Sequence, residues 1–184
     1  MENVAEKIDA PMSPQECSLD WREIEAEAAR VSGENGFDPK TSPVVELAHV
    51  IGGGRECIEI VSFEQMEDLE SGSLEVFAPG SFKIRLSPIT SAVRDNFTIA
   101  HELGHYFLHS GNPVGSIPIR VRRSGESTVV EQQANRFAAA LLMPREAFTE
   151  AFHAAGGSSL VLSGLFNVSR PAVLVRIKSL RLVQ

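Results

Sequence analysis

One helix constrains how this chain can fold. From Phe97 to His109 the sequence reads FTIAHELGHYFLH, with apolar residues on nearly every side of the predicted helix. A helix of this kind lies in a protein core rather than on the surface. Ser91 is the expected start, and the Ser-Gly-Asn-Pro segment at 110–113 ends the helix. The other elements are therefore predicted to pack around it.

Three polar side chains in this apolar helix predict a metal site. His101 and His105 are one turn apart, so both imidazoles lie on one side and can bind a single ion. Glu102 is placed to act as a general base on water without binding the ion. An alternative is an ordinary polar pair on a surface helix. Burial of unpaired polar groups would cost roughly 1–3 kcal/mol each, which favours a metal: one Zn²⁺ per chain, with Mn²⁺ as the other candidate.

A catalytic zinc site needs a third protein ligand. His109 is a poor candidate, because three groups at this spacing on one straight helix span about 12 Å. We expect it to contact a ligand or to pack at the helix end. Glu131, on a helix predicted over 129–143, is the better candidate. The alternative is that Thr128 and Glu131 form a capping box, and the need for a third ligand favours coordination. Asn135, one turn further, is expected to orient a ligand by hydrogen bonding.

Together, the FTIAHELGHYFLH segment and the E-x-x-A-N-R-F-A-A-x-L-L-M-P segment at 131–144 resemble the ImmA/IrrE family of zinc-dependent metallopeptidases. The resemblance covers roughly residues 44–184. It implies a gluzincin-like endopeptidase in which His101, His105 and Glu131 bind zinc and Glu102 is the base. It also implies a protein substrate, a helix-turn-helix repressor of the XRE type, whose cleavage derepresses its target genes in a regulatory or stress response.

The fold class predicted from the pattern of elements is α+β and mainly helical. A small antiparallel three-stranded sheet is expected from strands at 57–63, 74–77 and 82–86. The predicted domains are a flexible N-terminal arm (1–18), a metallopeptidase domain (19–157) and a helix-turn-helix-like segment (158–184) packed on the main domain. Asp20 is expected to cap the first helix.

The C-terminal segment differs in charge from the rest of the chain. Between residues 158 and 184 there are four basic residues and no acidic one, whereas the whole chain has a net charge of -7. Arg170, Arg176, Lys178 and Arg181 are therefore candidates for contacting a nucleic acid or a partner. The alternative is a helix pair that packs against the core. Direct DNA binding is the less expected outcome, because four basic residues are a weak electrostatic signal on an acidic chain.

Other residues are candidates for the substrate cleft. Tyr106, His49 and His153 could each stabilise an oxyanion, and the strand at 82–86 could offer its edge to an extended substrate. The connection at 113–127 carries Arg120, Arg122 and Arg123, which form either a solvated loop or a lip that contacts an acidic substrate segment. The acidic run at 64–70 is predicted to be a solvated loop.

Several classes of protein are disfavoured by the sequence. The first residues lack a basic stretch followed by an apolar one, so we expect no secretory signal and a cytoplasmic protein. No apolar run is long enough to span a membrane, and two cysteines do not make a disulfide framework. The rival function is a non-proteolytic regulator, or a component of a toxin–antitoxin pair, that binds a repressor or DNA and uses zinc only structurally.

Overall fold

The computed structural model describes residues 15–64, 72–78, 81–110, 119–121 and 128–182. Within these ranges the architecture is α+β and mainly helical, as predicted. In chain order the elements are α1 (Trp21–Glu34), α2 (Val44–Ile51), a 3-10 turn (Arg55–Cys57), β1 (Ile58–Ile60), β2 (Gly72–Ala78), β3 (Ser81–Leu86), α3 (Ala92–His109), β4 (Ile119–Val121), α4 (Val129–Leu142), α5 (Arg145–Ala154), α6 (Ser159–Leu165) and α7 (Arg170–Ser179).

Parts of several predicted segments lie outside the described residues. These are positions 1–14 of the N-terminal arm, 65–70 of the acidic run, 111–113 of the segment that ends the central helix, 113–118 and 122–127 of the connection, with Arg122 and Arg123, and 183–184 of the C-terminal segment. The described part of the arm, from residue 15 onward, leads into α1, and the prediction of a flexible arm does not hold at Cys17, whose main chain forms two hydrogen bonds with Gln133 of α4. Asp20 caps that helix as predicted: its carboxylate accepts from Arg22 N and Glu23 N, while the Glu23 carboxylate accepts from Asp20 N.

Helix α3 occupies the centre of the core, as its composition predicted. The Ser91 side chain caps it by accepting a hydrogen bond from Arg94 N at 3.3 Å. Every residue from 98 to 105 is buried. The helix packs most extensively against α4, and it also contacts α2, β2 and β3. Burial of its polar side chains together with its apolar ones sets the site inside the protein rather than on an open surface.

The sheet differs from the predicted antiparallel three-stranded one. It has four strands in the order β1-β3-β2-β4. The pairs β2–β3 and β2–β4 are antiparallel, but β1 runs parallel to β3, with Ile58 opposite Ile84. The prediction failed on direction because a parallel pair needs a crossover, which strand patterns do not report. It missed β4 because the alternation of Ile119, Arg120 and Val121 is only three residues long and lies in a connection that contains glycine and proline.

This strand order also makes one functional prediction wrong. The strand predicted at 82–86 was expected to offer a free edge, but β3 lies between β1 and β2, and both of its edges are paired. Among the described strands, the edges of the sheet belong to β1 and β4.

Helices α6 and α7 form the predicted pair at the C-terminal end, with a bend of 105° between them. Leu162, Phe166, Val168 and Val173 anchor the pair in the core. Over the described residues, no single helix is long and apolar enough to cross a membrane. By length and composition alone, the bent α6–α7 pair passes the same test together.

Arg176 does not lie on a free basic surface, so its predicted contact with a nucleic acid is wrong. Only 1% of the residue is exposed. Its Nη1 donates to Glu25 Oε1 at 2.8 Å, and its Nε donates to the carbonyl oxygen of Met143 at 3.0 Å. A sequence read without tertiary packing cannot tell a buried arginine with a partner from an exposed one. Arg170, Lys178 and Arg181 are exposed, and their role stays a prediction.

Candidate metal centre

Three side chains from α3 and α4 meet in the core with metal-binding atoms close together. His101 Nε2 lies 3.0 Å from His105 Nε2. The two Glu131 carboxylate oxygens lie 3.3 Å from them, Oε2 from His101 and Oε1 from His105. All three ligand atoms fall within 4.8 Å of one another. Both histidines are buried, and Glu131 is nearly so, with 12% of its side chain exposed. This group can hold one metal ion.

Glu131 reaches the two histidines because α4 lies close to α3. A Cβ atom added at Gly104 would lie 3.0 Å from the carbonyl oxygen of Ala134 and 3.2 Å from the Cβ atom of Phe137. Glycine at 104 and alanine at 134 therefore let the two helix backbones come together. Because the helices lie so close, the Glu131 carboxylate of α4 reaches the two histidines of α3. Helix α3 alone could not provide this third ligand.

Glu131 also has a place in the cap of α4, but through its main chain. The Thr128 hydroxyl accepts a hydrogen bond from Glu131 N at 3.3 Å, which satisfies one of the free amide groups at the helix start. The Glu131 carboxylate points instead to the two imidazoles. The main chain of Glu131 therefore belongs to the helix cap, and its carboxylate belongs to the metal-binding group.

Hydrogen-bond partners lie on the side of each imidazole that faces away from Glu131. His101 Nδ1 is 3.0 Å from Asn135 Oδ1, and His105 Nδ1 is 3.0 Å from His109 Nδ1. His109 Nε2 is in turn 3.0 Å from Gln133 Oε1. Metal-binding histidines commonly have such partners on the second ring nitrogen, where they fix the orientation of the ring.

Burial and hydrogen bonding determine the protonation states of Glu131 and His109. Burial alone would raise the pKa of Glu131, but hydrogen bonds and charge interactions with His101 and His105 outweigh it and hold that pKa well below its usual range. Glu131 is therefore a carboxylate, the form that binds a metal. Burial lowers the pKa of His109 to about 4, despite the opposing hydrogen bond to Gln133. His109 is thus a neutral imidazole near pH 7.

Glu102 lies in the same buried section of α3, with 1% of the residue exposed. The start of β2 covers it. A Cβ atom added at Gly72 would lie 3.4 Å from Glu102 Oε1 and 2.4 Å from Thr98 Cγ2. This contact brings the beginning of a strand against the carboxylate of the candidate base.

The structure places the three candidate oxyanion residues in different surroundings. Tyr106 is half-buried, and its ring lies 4.8 Å from that of Phe82. His49 on α2 has its Nδ1 3.7 Å from the Glu46 carboxylate on the same helix. His153 is exposed near the end of α5, with its ring against Phe152. The described contacts do not bring His49 or His153 to the metal-binding group, and a role for Tyr106 stays a prediction.

Sequence reasoning missed three residues that shape this centre. Gln133 gives no signal in the sequence, because glutamine is common on helix surfaces. Gly72 lies close to Thr98 and Glu102, and no local sequence pattern indicates this contact. Gly104 could have been found, because a glycine inside a helix that is otherwise apolar and buried indicates close packing of another backbone.

Comparisons with known proteins agree with this geometry. A family model described as the IrrE N-terminal-like domain, a peptidase family, matches residues 55–178. That range contains α3, α4 and all three members of the metal-binding group. No curated protein matches the chain.

A solved structure supports the fold. A transcriptional regulator of Mycobacterium tuberculosis is similar, with a TM-score of 0.59 and 18% sequence identity. The match covers 85% of this chain and 46% of the regulator's chain, so this chain spans about half the length of that relative. At this level of identity the likeness concerns the fold alone.

Proposed function

We propose, from the premise that this chain belongs to the IrrE N-terminal-like family of peptidases, that it is a zinc-dependent endopeptidase with a regulatory protein as its substrate. The observation that carries the proposal is the buried group of His101, His105 and Glu131, whose ligand atoms lie within 4.8 Å of one another. Family membership supports a peptidase activity that depends on a metal. The metal, the base and the substrate are the parts that we propose.

Zinc fits this donor set better than manganese. Two imidazole nitrogens and one carboxylate are the ligands of several catalytic zinc sites, in which the fourth position stays open. Manganese prefers more oxygen ligands in octahedral geometry. The partners of His101 Nδ1 and His105 Nδ1 support the same assignment, because they leave both Nε2 atoms to face Glu131.

The proposed chemistry is hydrolysis of a peptide bond. Zinc, when bound, supplies Lewis acidity that lowers the pKa of water to about 7 and polarises a carbonyl group. Glu102 accepts the proton of the attacking water and returns it to the leaving nitrogen. Its burial beside the histidines supports this role, since a carboxylate screened from bulk water keeps the proton within the site.

For the substrate we propose a helix-turn-helix repressor of the XRE type, as the family resemblance implies. An extended segment of it would add to the sheet at β4, which is an edge strand among those described. Strand β4 pairs with β2 through Leu74 and Val121, and β2 begins at Gly72 against Glu102.

The test is incubation of the zinc-loaded full chain with the repressor encoded beside its gene. We expect two repressor fragments of defined mass, lost with a chelator and restored by adding zinc. An unrelated helix-turn-helix protein serves as the specificity control and should stay intact. A repressor that binds tightly but is never shortened would contradict the proposal and favour the rival, a non-proteolytic regulator or toxin–antitoxin component with structural zinc.

Direct DNA binding is not the function that we propose. Of the four basic residues considered for it, Arg176 is buried and neutralised by Glu25. Three exposed basic side chains on a chain with a net charge of -7 leave a small electrostatic contribution to nucleic-acid affinity.

A further inference from the structure

A continuous chain of hydrogen bonds connects the segment before α1 to a metal-binding histidine. Cys17 N donates to Gln133 Oε1 at 3.2 Å, and Gln133 Nε2 donates to the Cys17 carbonyl oxygen at 2.8 Å. The same Gln133 Oε1 lies 3.0 Å from His109 Nε2, and His109 Nδ1 lies 3.0 Å from His105 Nδ1. His105, His109 and Gln133 are all at least nine-tenths buried.

The main chain at Cys17 fixes which way the Gln133 amide points. A side-chain amide can turn over and exchange its oxygen for its nitrogen, because the two ends have similar shapes. A backbone N–H can only donate, and a backbone carbonyl can only accept. With both groups of Cys17 facing Gln133, the amide oxygen must lie toward Cys17 N, and the same oxygen then faces His109.

That orientation decides the tautomers of both histidines. Because an amide oxygen only accepts, His109 must carry its proton on Nε2 to bond with Gln133. A neutral imidazole then has a lone pair on Nδ1, which accepts a proton from His105 Nδ1. His105 is left with a lone pair on Nε2, the atom that faces Glu131. A metal binds that lone pair and cannot bind a protonated nitrogen.

We propose that Gln133 and His109 are positioning residues that hold His105 in its metal-binding tautomer, and that the main chain at Cys17 sets them. The segment before α1 thereby controls metal affinity from outside the ligand set. This inference rests on the proposed function in taking His105 as a metal ligand, but it concerns metal binding and not cleavage.

The reverse arrangement shows what the Cys17 contact prevents. If the Gln133 amide turned over, its NH2 group would face His109 Nε2 and would require a lone pair there. His109 would then carry its proton on Nδ1 and donate to His105 Nδ1. His105 would have to carry its own proton on Nε2, and one ligand would be blocked. The His101 tautomer would be unaffected, because Asn135 holds it separately.

Two substitutions of Gln133 separate this role from simple packing. Gln133→Met keeps the size of the side chain but removes the hydrogen bonds, and we expect zinc affinity to fall about 10- to 100-fold. Gln133→Glu keeps acceptors toward His109 and Cys17 N but loses the donor to the Cys17 carbonyl oxygen, so we expect it to retain more affinity than Gln133→Met. A packing role predicts the opposite order, because a buried methionine is tolerated where a buried carboxylate is not. Zinc affinity is measured by competition with a chromophoric chelator, and the free energy of unfolding is measured separately on each metal-free chain.

The tautomers themselves can be observed without substrate. In the zinc-loaded wild-type protein at pH 8, the 15N chemical shifts of the imidazoles should report His105 protonated on Nδ1 and His109 protonated on Nε2. The zinc-loaded form is used because, without metal, the Glu131 carboxylate 3.3 Å from His105 Nε2 competes for a proton on that atom. His109 protonated on Nδ1 in this form would overturn the proposal, whether or not the protein cleaves anything.

The contribution of the segment before α1 is tested at Cys17. Cys17→Pro removes the N–H group but keeps the carbonyl, so zinc affinity should fall, by less than in Gln133→Met. Cys17→Ala keeps both main-chain groups and should bind zinc like the wild type. Equal affinity in wild type, Cys17→Pro and Gln133→Met would overturn the proposal. Loss of affinity in Cys17→Ala would do the same, because it would assign the effect to the thiol.

Discussion

At the scale of single residues, Glu131 does two separable things. Its amide hydrogen is bound by the Thr128 hydroxyl at the start of α4, and its carboxylate lies between the Nε2 atoms of His101 and His105. The sequence indicates both roles, because Thr128 and Glu131 have the spacing of a cap and two histidines need a third ligand. The sequence cannot show that Glu131 has both roles, because the direction of its carboxylate depends on where α3 lies.

Substituting Glu131 should therefore separate metal binding from helix capping. In Glu131→Gln the main-chain bond to Thr128 is kept, but the charge that faces the metal is lost. We expect zinc affinity to fall by more than the roughly 100-fold that loss of an outer hydrogen-bond partner costs. Isothermal titration with zinc, after chelation and dialysis, measures the change.

Thr128→Ala is the matched control for this prediction. It removes the hydroxyl that caps α4 and should lower the free energy of unfolding by about 1 kcal/mol, with zinc affinity close to that of the wild type. If Glu131→Gln bound zinc as the wild type does, and only stability changed, Glu131 would be a capping residue and not a ligand.

At the scale of elements, the contact between α3 and α4 determines whether the site exists. Gly104 leaves little room for a side chain, because an added Cβ atom would lie 3.0–3.2 Å from atoms of Ala134 and Phe137. A substitution that separates the two helices moves Glu131 away from the histidines. Packing between the helices and metal binding are therefore coupled through one glycine.

We predict that Gly104→Ala destabilises the protein and weakens metal binding. Overpacking of this kind costs about 1–3 kcal/mol, which is more than the helix propensity gained by replacing glycine. Gly33→Ala in α1 is the control, since nothing lies within 4 Å of an added Cβ atom there. That variant should gain about 0.5–1 kcal/mol and keep its zinc affinity. Urea denaturation of both metal-free variants measures the difference, and a stabilised Gly104→Ala would contradict the close approach.

The elements also show how far the sequence alone can predict the fold. Helices were predictable because their signals are local: Asp20, Ser91 and Thr128 each form a side-chain cap at the start of a helix. Strands β1 and β4 were not predicted correctly. Each has three residues, and each is held by a partner that is distant in the chain. Direction and order in a sheet depend on such long-range pairing, which short patterns do not contain.

At the scale of the whole molecule, one carboxylate connects four helices. Glu25 of α1 forms ion pairs with Arg136 of α4, Arg145 at the start of α5 and Arg176 of α7. Burial alone would raise the pKa of Glu25, but the charge of Arg176 and its hydrogen bond outweigh burial and lower it. This cluster ties α7 to the main body. The division into residues 19–157 and 158–184 stays a prediction.

We predict that Glu25→Ala is strongly destabilising, because it leaves Arg176 buried without its partner. Loss of one member of a buried ion pair costs about 3–5 kcal/mol. Glu27→Ala, on the same helix, removes an ion pair with Arg30 whose arginine side chain is 46% exposed, and it should cost no more than about 1 kcal/mol. Chemical denaturation at pH 7 compares the two, and equal effects would contradict the account of the cluster.

The same cluster sets a pH dependence. Because the pKa of Glu25 is lower in the folded protein than its ordinary value of 4.5, its stabilising contribution is present above that value and is lost as the pH falls below it. Stability of the wild type should therefore decline more steeply below about pH 4.5 than that of Glu25→Ala, in unfolding measured across this range.

The central claim, that this chain is a zinc peptidase with Glu102 as its base, is tested most directly by Glu102→Gln. The variant should bind one zinc ion per chain, as measured by native mass spectrometry, because His101, His105 and Glu131 are unchanged. Incubated with a repressor that the wild-type protein cleaves, it should produce no fragments, since an amide cannot accept the proton of water. Zinc-loaded Glu102→Gln that cleaves the repressor at the wild-type rate would contradict the account.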